Sequence, residues 1–330
     1  MSKQPIGSFT RATAAAFVLV AASGCGSVGT SIETDPAAPE ATRVPVGDGG
    51  PGSIPSDSVK VSLEGETNGV AVCAGWVWVA VGAPRDAIAQ VDPTSGEVVG
   101  EIMRGTNLAC FDGEPWAAVG GTEIRHVSAE TRETLASVPV RSFYVGTGAG
   151  SIWGASGRDV VRIDPDTGEV VATIPLDPSF DVTEVEGTDD AVWATVKEAA
   201  TVYRIDPATN TVVARIGAGR FAHGILIQPD AVWISNAHED TVTRIDPTTN
   251  AATFLVEGPG AGVGLGEGNG FVWASSRDGL LFRIDPTTNQ AHRAVRIGGW
   301  PYGIASTDGV LWVSDGISSV YGIPFSELGG

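Results

Sequence analysis

Apolar and polar positions alternate along most of this chain in runs of five to seven residues, broken by Gly, Pro, Asp and Asn. The stretch 222–257 shows the pattern: AHGILIQ, AVWISN, TVTRIDP and AATFLVE, separated by PD, AHED and TTN. β-Branched runs of that length, bounded by turn residues, predict short antiparallel strands joined by tight connections. A recurring step closes the third hairpin: Asp164-Pro165-Asp166-Thr167-Gly168, Asp206-Pro207-Ala208-Thr209-Asn210, Asp246-Pro247-Thr248-Thr249-Asn250 and Asp285-Pro286-Thr287-Thr288-Asn289. Asp accepts local backbone hydrogen bonds, Pro presets φ, and Gly or Asn tolerates the left-handed position that ends the turn. These aspartates are therefore read as hairpin residues rather than metal ligands.

The pattern repeats. Trp78, Trp116, Trp153, Trp193, Trp233, Trp273 and Trp312 follow one another at intervals of 38, 37, 40, 40, 40 and 39 residues. A period near 40 is the length of one four-stranded propeller blade. The fold class expected is all-β: a seven-bladed β-propeller of four-stranded antiparallel blades over residues 59–330. After Trp312 only one further strand is available, 319–323, so the last copy is a strand short. Val59-Lys60-Val61-Ser62-Leu63 supplies the missing strand, and its pairing with the C-terminal three closes the ring and removes two sheet edges. The tryptophans, flanked by small and branched residues, are expected between blades as core.

The first 24 residues read as an export signal. Lys3 and Arg11 precede the apolar run 12–22, and Ala22-Ser23-Gly24-Cys25 looks like a bacterial lipobox, which makes Cys25 the lipidated N-terminus of a membrane lipoprotein facing the extracytoplasmic side. Residues 25–58, rich in Gly, Ser, Pro, Ala and Thr without hydrophobic periodicity, are expected to be a flexible tether spanning roughly 30 Å. The formal net charge of −19 repels nucleic acid and anionic lipid, so membrane contact is expected through the lipid alone, and the propeller is read as monomeric. Cys73 and Cys110 fall in the first strands of adjacent repeats, displaced by one residue. In an oxidising compartment they are a possible disulfide; two buried thiols on opposite sides of their strands are the alternative.

Val232-Trp233-Ile234-Ser235-Asn236, followed by Asp240-Thr241-Val242-Thr243-Arg244-Ile245-Asp246, resembles the YVTN-type repeat of YncE-like seven-bladed propellers. The repeat is also similar to that of the virginiamycin B lyase (streptogramin lyase) group. The likeness covers residues 59–330. The second copy departs most: Ile124-Arg125-His126-Val127-Ser128 replaces the Arg-Ile-Asp step, and Pro115 precedes the tryptophan. The lyase resemblance implies a channel-face histidine, an acidic partner and magnesium, acting together to open a cyclic depsipeptide by elimination.

About ten residues before each tryptophan the innermost strand begins, at Asn68, Asn107, Tyr144, Thr183, His223, Gly262 and Tyr302. Asn68, Asn107, Tyr144, Thr183, His223 and Tyr302 are the candidate ligand-binding residues of the channel mouth. His223 is the one histidine that maps there, and an imidazole with an ordinary pKa near 6.5 suits general acid–base work. His238 falls in the loop 238–240, while His126 and His292 fall on outer strands as solvated side chains. No His-Glu-x-x-His, P-loop or Gly-x-Ser-x-Gly motif is present, and neither is the His-x-x-Glu or Glu-x-His spacing the lyase pattern needs. The glycine-dense segment 262–270 reads as close strand approach plus a turn near the axis. The chain is accordingly read as a non-catalytic binding or scaffold module for a small molecule, peptide or surface protein, with no cofactor and no metal. The alternative is a lyase-type enzyme, with His223 catalytic and magnesium required.

Overall fold

The computed structural model describes residues 41–328, apart from 48, 49, 178, 197, 259 and 260. The export signal, Cys25 and the first part of the expected tether lie outside the described residues. Each repeat forms one sheet, and strands consecutive in sequence pair antiparallel within it. The first strands of the seven blades are Gly65–Cys73, Gly105–Phe111, Tyr144–Gly148, Val182–Gly187, Ala222–Gln228, Ala261–Gly268 and Ile304–Thr307. Each touches the first strand of the next blade, and the last touches the first, so these strands ring a central channel. Among the described residues the only helix is the single turn Phe325–Glu327.

Ring closure is as expected. Val59–Ser62 pairs antiparallel with Ser319–Pro324, Val59 opposite Gly322 and Ser62 opposite Ser319, which completes blade 7. Asp-Pro turns follow the predicted chemistry. The Asp164 carboxylate accepts from the amides of Asp166 and Thr167, both at 2.9 Å, and Gly168 stands at φ +69°. These backbone bonds hold the Asp164 carboxyl below the usual carboxylate range. In blade 2 the turn survives with Ser128 in place of Asp, its hydroxyl accepting from Thr131 N at 3.2 Å. Arg132 then takes the left-handed position that Gly or Asn fills elsewhere.

All seven repeat tryptophans are essentially fully buried on the second strands. Facing each across the sheet is a third-strand residue: Arg162 opposite Trp153, Arg204 opposite Trp193 and Arg244 opposite Trp233. The guanidinium carbon lies 5.2, 5.3 and 5.7 Å from the respective ring centroid, a cation–π spacing. Two of these arginines also clamp the neighbouring blade. Arg162 donates to Pro207 O and Asn210 Oδ1, and Arg204 donates to Pro247 O and Asn250 Oδ1. Blade 7 has Gly322 here because a Cβ would sit 2.9 Å from the Trp312 ring. Blade 2 has His126, stacked flat on Trp116 with centroids 4.7 Å apart. His126 is thus half-buried against the core rather than solvated, a correction made by the ring that the repeat places beneath it.

The second part of the expected tether also behaves differently. Thr42–Val44 pairs parallel with the outer strand of blade 5, Ala251–Glu257, and Arg43 meets Glu257 at 3.2 Å. Val46 then bridges to Ala291, and Gly52–Ser53 pairs parallel with the outer strand of blade 6, Ala291–Arg296. Thr42–Val44, Val46 and Gly52–Ser53 therefore lie as a belt over two outer edges ahead of blade 7. An edge strand offers unpaired amides and carbonyls to any extended backbone, whatever its side-chain pattern, so a segment without periodicity can still be ordered there.

Cys73 and Cys110 are disulfide-bonded, with Cα atoms 5.3 Å apart. They end the first strands of blades 1 and 2. Side chains on neighbouring blades meet only when they project from opposite faces of their sheets. With a side-chain period of two, the one-residue displacement supplies that reversal.

Candidate functional site

Of the seven positions expected at the mouth, Tyr144, Thr183, His223, Gly262 and Tyr302 lie at or just before the starts of their first strands, while Asn68 and Asn107 lie further in, as the fourth and third residues of theirs. Three converge. The Tyr302 hydroxyl is 3.0 Å and the Tyr144 hydroxyl 3.3 Å from His223 Nε2, and the two hydroxyls are 3.3 Å from each other. The residues come from blades 3, 5 and 7, so their contacts cross the channel. The other three candidates serve the framework. Asn107 Oδ1 accepts from Val145 N at 2.8 Å, Thr183 Oγ1 donates to Thr195 O, and the Asn68 carbonyl accepts from Ser314 Oγ at 2.6 Å.

His223 owes its aim to a β-bulge. Ala222 pairs with Asn236 and Ile225 with Ile234, so His223 and Gly224 together stand opposite Ser235, one residue more than the ladder accommodates. The Gly224 amide is satisfied by Ser235 Oγ at 2.9 Å, while the His223 carbonyl accepts from Thr195 Oγ1 of blade 4 at 3.0 Å. Gly262-x-Gly264 does equivalent work on blade 6. A Cβ on Gly264 would lie 2.1 Å from Tyr302 O, so glycine lets the Tyr302 backbone approach, as the glycine-dense run suggested.

Beneath the imidazole stands a pair of carboxyls that sequence reading had not singled out. Glu184 Oε2 is 3.4 Å from His223 Nδ1, without hydrogen-bond geometry; that nitrogen is buried and has no hydrogen-bond partner. Glu186, two residues on along the same strand, accepts from Thr147 N at 3.2 Å. Glu186 is half-buried. Burial, reinforced by the like charge of Glu184, pushes its carboxyl up to about 8. Burial raises both tyrosine hydroxyls as well, with Glu184 adding in the same direction, so both stay protonated donors. The available signal was Val182-Thr183-Glu184-Val185-Glu186, the one first strand carrying two acids at a spacing of two.

Phe221 is the other residue the sequence did not flag. At φ +61°, unusual for a bulky side chain, it stacks on His238 at 4.2 Å and lies 6.5 Å from the His223 ring. Around the mouth four large apolar side chains are exposed: Phe143 (54%), Phe180 (39%), Trp300 (49%) and Ile317 (57%). Phe143, Phe180 and Trp300 lie in the links entering blades 3, 4 and 7, and Ile317 in the link between the second and third strands of blade 7. In an antiparallel blade both kinds of link fall on the face where the first strand begins, which is the face of His223. Arg277 stacks on Trp300 at 5.2 Å.

Magnesium, which the lyase resemblance implies, was tested against these groups. Among the described residues no set of three His, Cys, Asp or Glu side chains is placed to hold a metal. Glu186 retains its proton at neutral pH, which leaves Glu184 as a single carboxylate beside a histidine. The residues do not fit a divalent ion held by the protein.

The fold defines a seven-bladed β-propeller, and solved structures share it. The chain is similar to virginiamycin B lyase from Staphylococcus aureus at a TM-score of 0.69 and 16% identity, covering 81% of this chain and 99% of that one. A catalytically inactive histidine-to-alanine variant of that lyase with quinupristin matches at 0.67 and 17%, covering 81% and 99%. U3-55K matches at 0.72 and 13%, covering 83% of this chain and 100% of that chain. At these identities the likeness shows the fold alone. No protein-family model matches the chain, and neither does any curated protein.

Proposed function

We propose that this chain is a non-catalytic binding module whose ligand enters the channel mouth at Tyr144, His223 and Tyr302. In this reading it is an exported, YncE-like lipoprotein, held at the membrane surface through Cys25. One observation carries the binding reading: Nε2 of His223 is already engaged and Nδ1 is buried. Nε2 faces two tyrosine hydroxyls and Nδ1 faces Glu184. A general base needs a nitrogen within hydrogen-bond reach of the proton it removes, and here a substrate must first displace both tyrosines. The exposed rim of Phe143, Phe180, Trp300 and Ile317 meanwhile suits contact with an apolar ligand surface.

A second reading is a streptogramin-lyase-type enzyme. It is favoured by the buried histidine beside a carboxylate at the mouth and by the likeness to virginiamycin B lyase. The test is to incubate the full chain with a type B streptogramin and magnesium, then follow it by liquid chromatography and mass spectrometry. Elimination opens the ring at unchanged mass, whereas hydrolysis adds about 18 Da, the mass of one water in the balanced reaction. The binding reading expects no conversion at high protein concentration. A shifted peak of unchanged mass, lost in His223→Ala, would establish the enzyme instead.

A further inference from the structure

The chemistry of the channel wall narrows the ligand. The seven first strands contain Glu66, Glu184, Glu186 and Glu267, and not one lysine or arginine. Glu267, at the far end of its strand, is engaged by Gln228 Nε2 at 3.3 Å. Among the described residues Glu184, near the mouth, has no lysine or arginine beside it, and its one close charged-group neighbour is His223. The second, independent observation is His223 itself. Its side chain is only 7% exposed, and its buried Nδ1 lacks a hydrogen-bond partner and is aimed at the Glu184 carboxylate. The Glu184 carboxylate and the buried Nδ1 face each other at 3.4 Å without a hydrogen bond between them, and two tyrosine hydroxyls lie on the other ring nitrogen. A ligand group that donates several hydrogen bonds and carries positive charge matches that set. An anion would meet wall carboxyls without a countercharge, and a neutral group would desolvate Glu184 without neutralising it. A divalent metal lacks ligands, as shown above.

Resting on the reading of the mouth as a binding site, we propose that it receives an organic monocation. A primary ammonium or guanidinium group enters against Glu184 beside Tyr144 and Tyr302, and the ligand's apolar body rests on Phe143, Trp300 and Ile317. Phe143 adjoins Tyr144 in the chain, Trp300 is two residues from Tyr302, and Ile317 reaches the link beside Trp300, within 2.9 Å of where a Gly299 Cβ would stand. The rim and the polar point therefore belong to one entrance.

The test uses the full chain and three probes of one shape: 2-phenylethylammonium, the neutral 2-phenylethanol and the anionic 3-phenylpropanoate. Binding is read by calorimetry and by the emission of the exposed Trp300. The ammonium is expected to bind saturably and about tenfold or more tighter than the alcohol, the contribution of one charge-assisted hydrogen bond. Glu184→Gln should abolish that preference, while Glu267→Gln at the far end should keep it. Should Glu184→Gln fold poorly by circular dichroism, Tyr302→Phe, which keeps the ring, provides the second variant and should weaken the ammonium selectively. Equal binding of ammonium and alcohol overturns the cation inference. So does an unchanged Glu184→Gln, or the absence of ammonium binding at millimolar concentration. If the alcohol or the carboxylate binds and Tyr302→Phe removes that binding, the mouth is still a binding site and only the cation assignment fails.

Discussion

Glu186 holds its proton where an ordinary glutamate would have lost it, and that has a cost for the fold that depends on pH. In the unfolded chain the group titrates near 4.5; in the folded protein it does so at about 8. Below 4.5 both states are protonated. Between the two values the folded state keeps a proton that the unfolded state has released, so stability falls as pH rises and the loss is complete above 8. Glu186→Gln keeps an oxygen that can accept from Thr147 N and removes the titration. The variant should match the parent near pH 4.5 and melt higher at pH 8–9, by about 2–4 °C per kcal/mol recovered. Parallel melting curves across that range, followed by calorimetry, would show that Glu186 is not held neutral. Glu184 and Glu186 could not be ranked from the sequence, because acids at a spacing of two also mark any solvated strand face. Only the arrival of His223 from the next blade separates them from such a face.

At the scale of elements, the belt and the closing strand differ in what they secure. Val59–Ser62 supplies the fourth strand of blade 7, and Val61 and Leu63 are buried with Val77, Val79 and Trp312. Thr42–Val44 and Gly52–Ser53 only add to outer edges that already belong to complete sheets. A chain starting at residue 56 should therefore keep the parent's association state and unfold cooperatively, with each lost edge hydrogen bond costing about 1 kcal/mol or less. A chain starting at residue 65 should open blade 7, expose a paired edge and self-associate. Melting curves and sedimentation of the two truncations check this, and equal behaviour would contradict the division. The closing strand was legible because Val59-Lys60-Val61-Ser62-Leu63 alternates and the last repeat lacks a strand. The belt was not, since backbone pairing on an edge leaves no mark in side-chain period. Likewise the Cys73–Cys110 bond, worth about 3–4 kcal/mol in the chain-entropy model, depends on which face each strand turns to its neighbour.

For the whole molecule, the acidic balance bears on the proposed export and anchoring. A net charge of −19 opposes contact with anionic surfaces, so under the proposed lipoprotein reading any attachment to a membrane rests on Cys25. Replacing it as Cys25→Ser should move the protein from the membrane fraction to the soluble extracytoplasmic fraction and abolish fatty-acid labelling. Retention in the membrane with unchanged labelling would remove the lipoprotein reading.

The sequence by itself determined the number of blades, the strand count in each, the Asp-Pro hairpins and the way the ring closes. These follow from short-range periodicity and from a repeat that writes the same local rules seven times. It also placed Tyr144, His223 and Tyr302 at equivalent positions. What it could not determine is which of seven equivalent positions meet. Blades 3, 5 and 7 are far apart in the chain, and only ring closure carries their first residues across one channel. The bulge at His223 and the carboxyls of blade 4 then give that meeting point its charge. Equivalence is local and therefore readable; convergence is a property of the closed circle, and tertiary structure alone decides it.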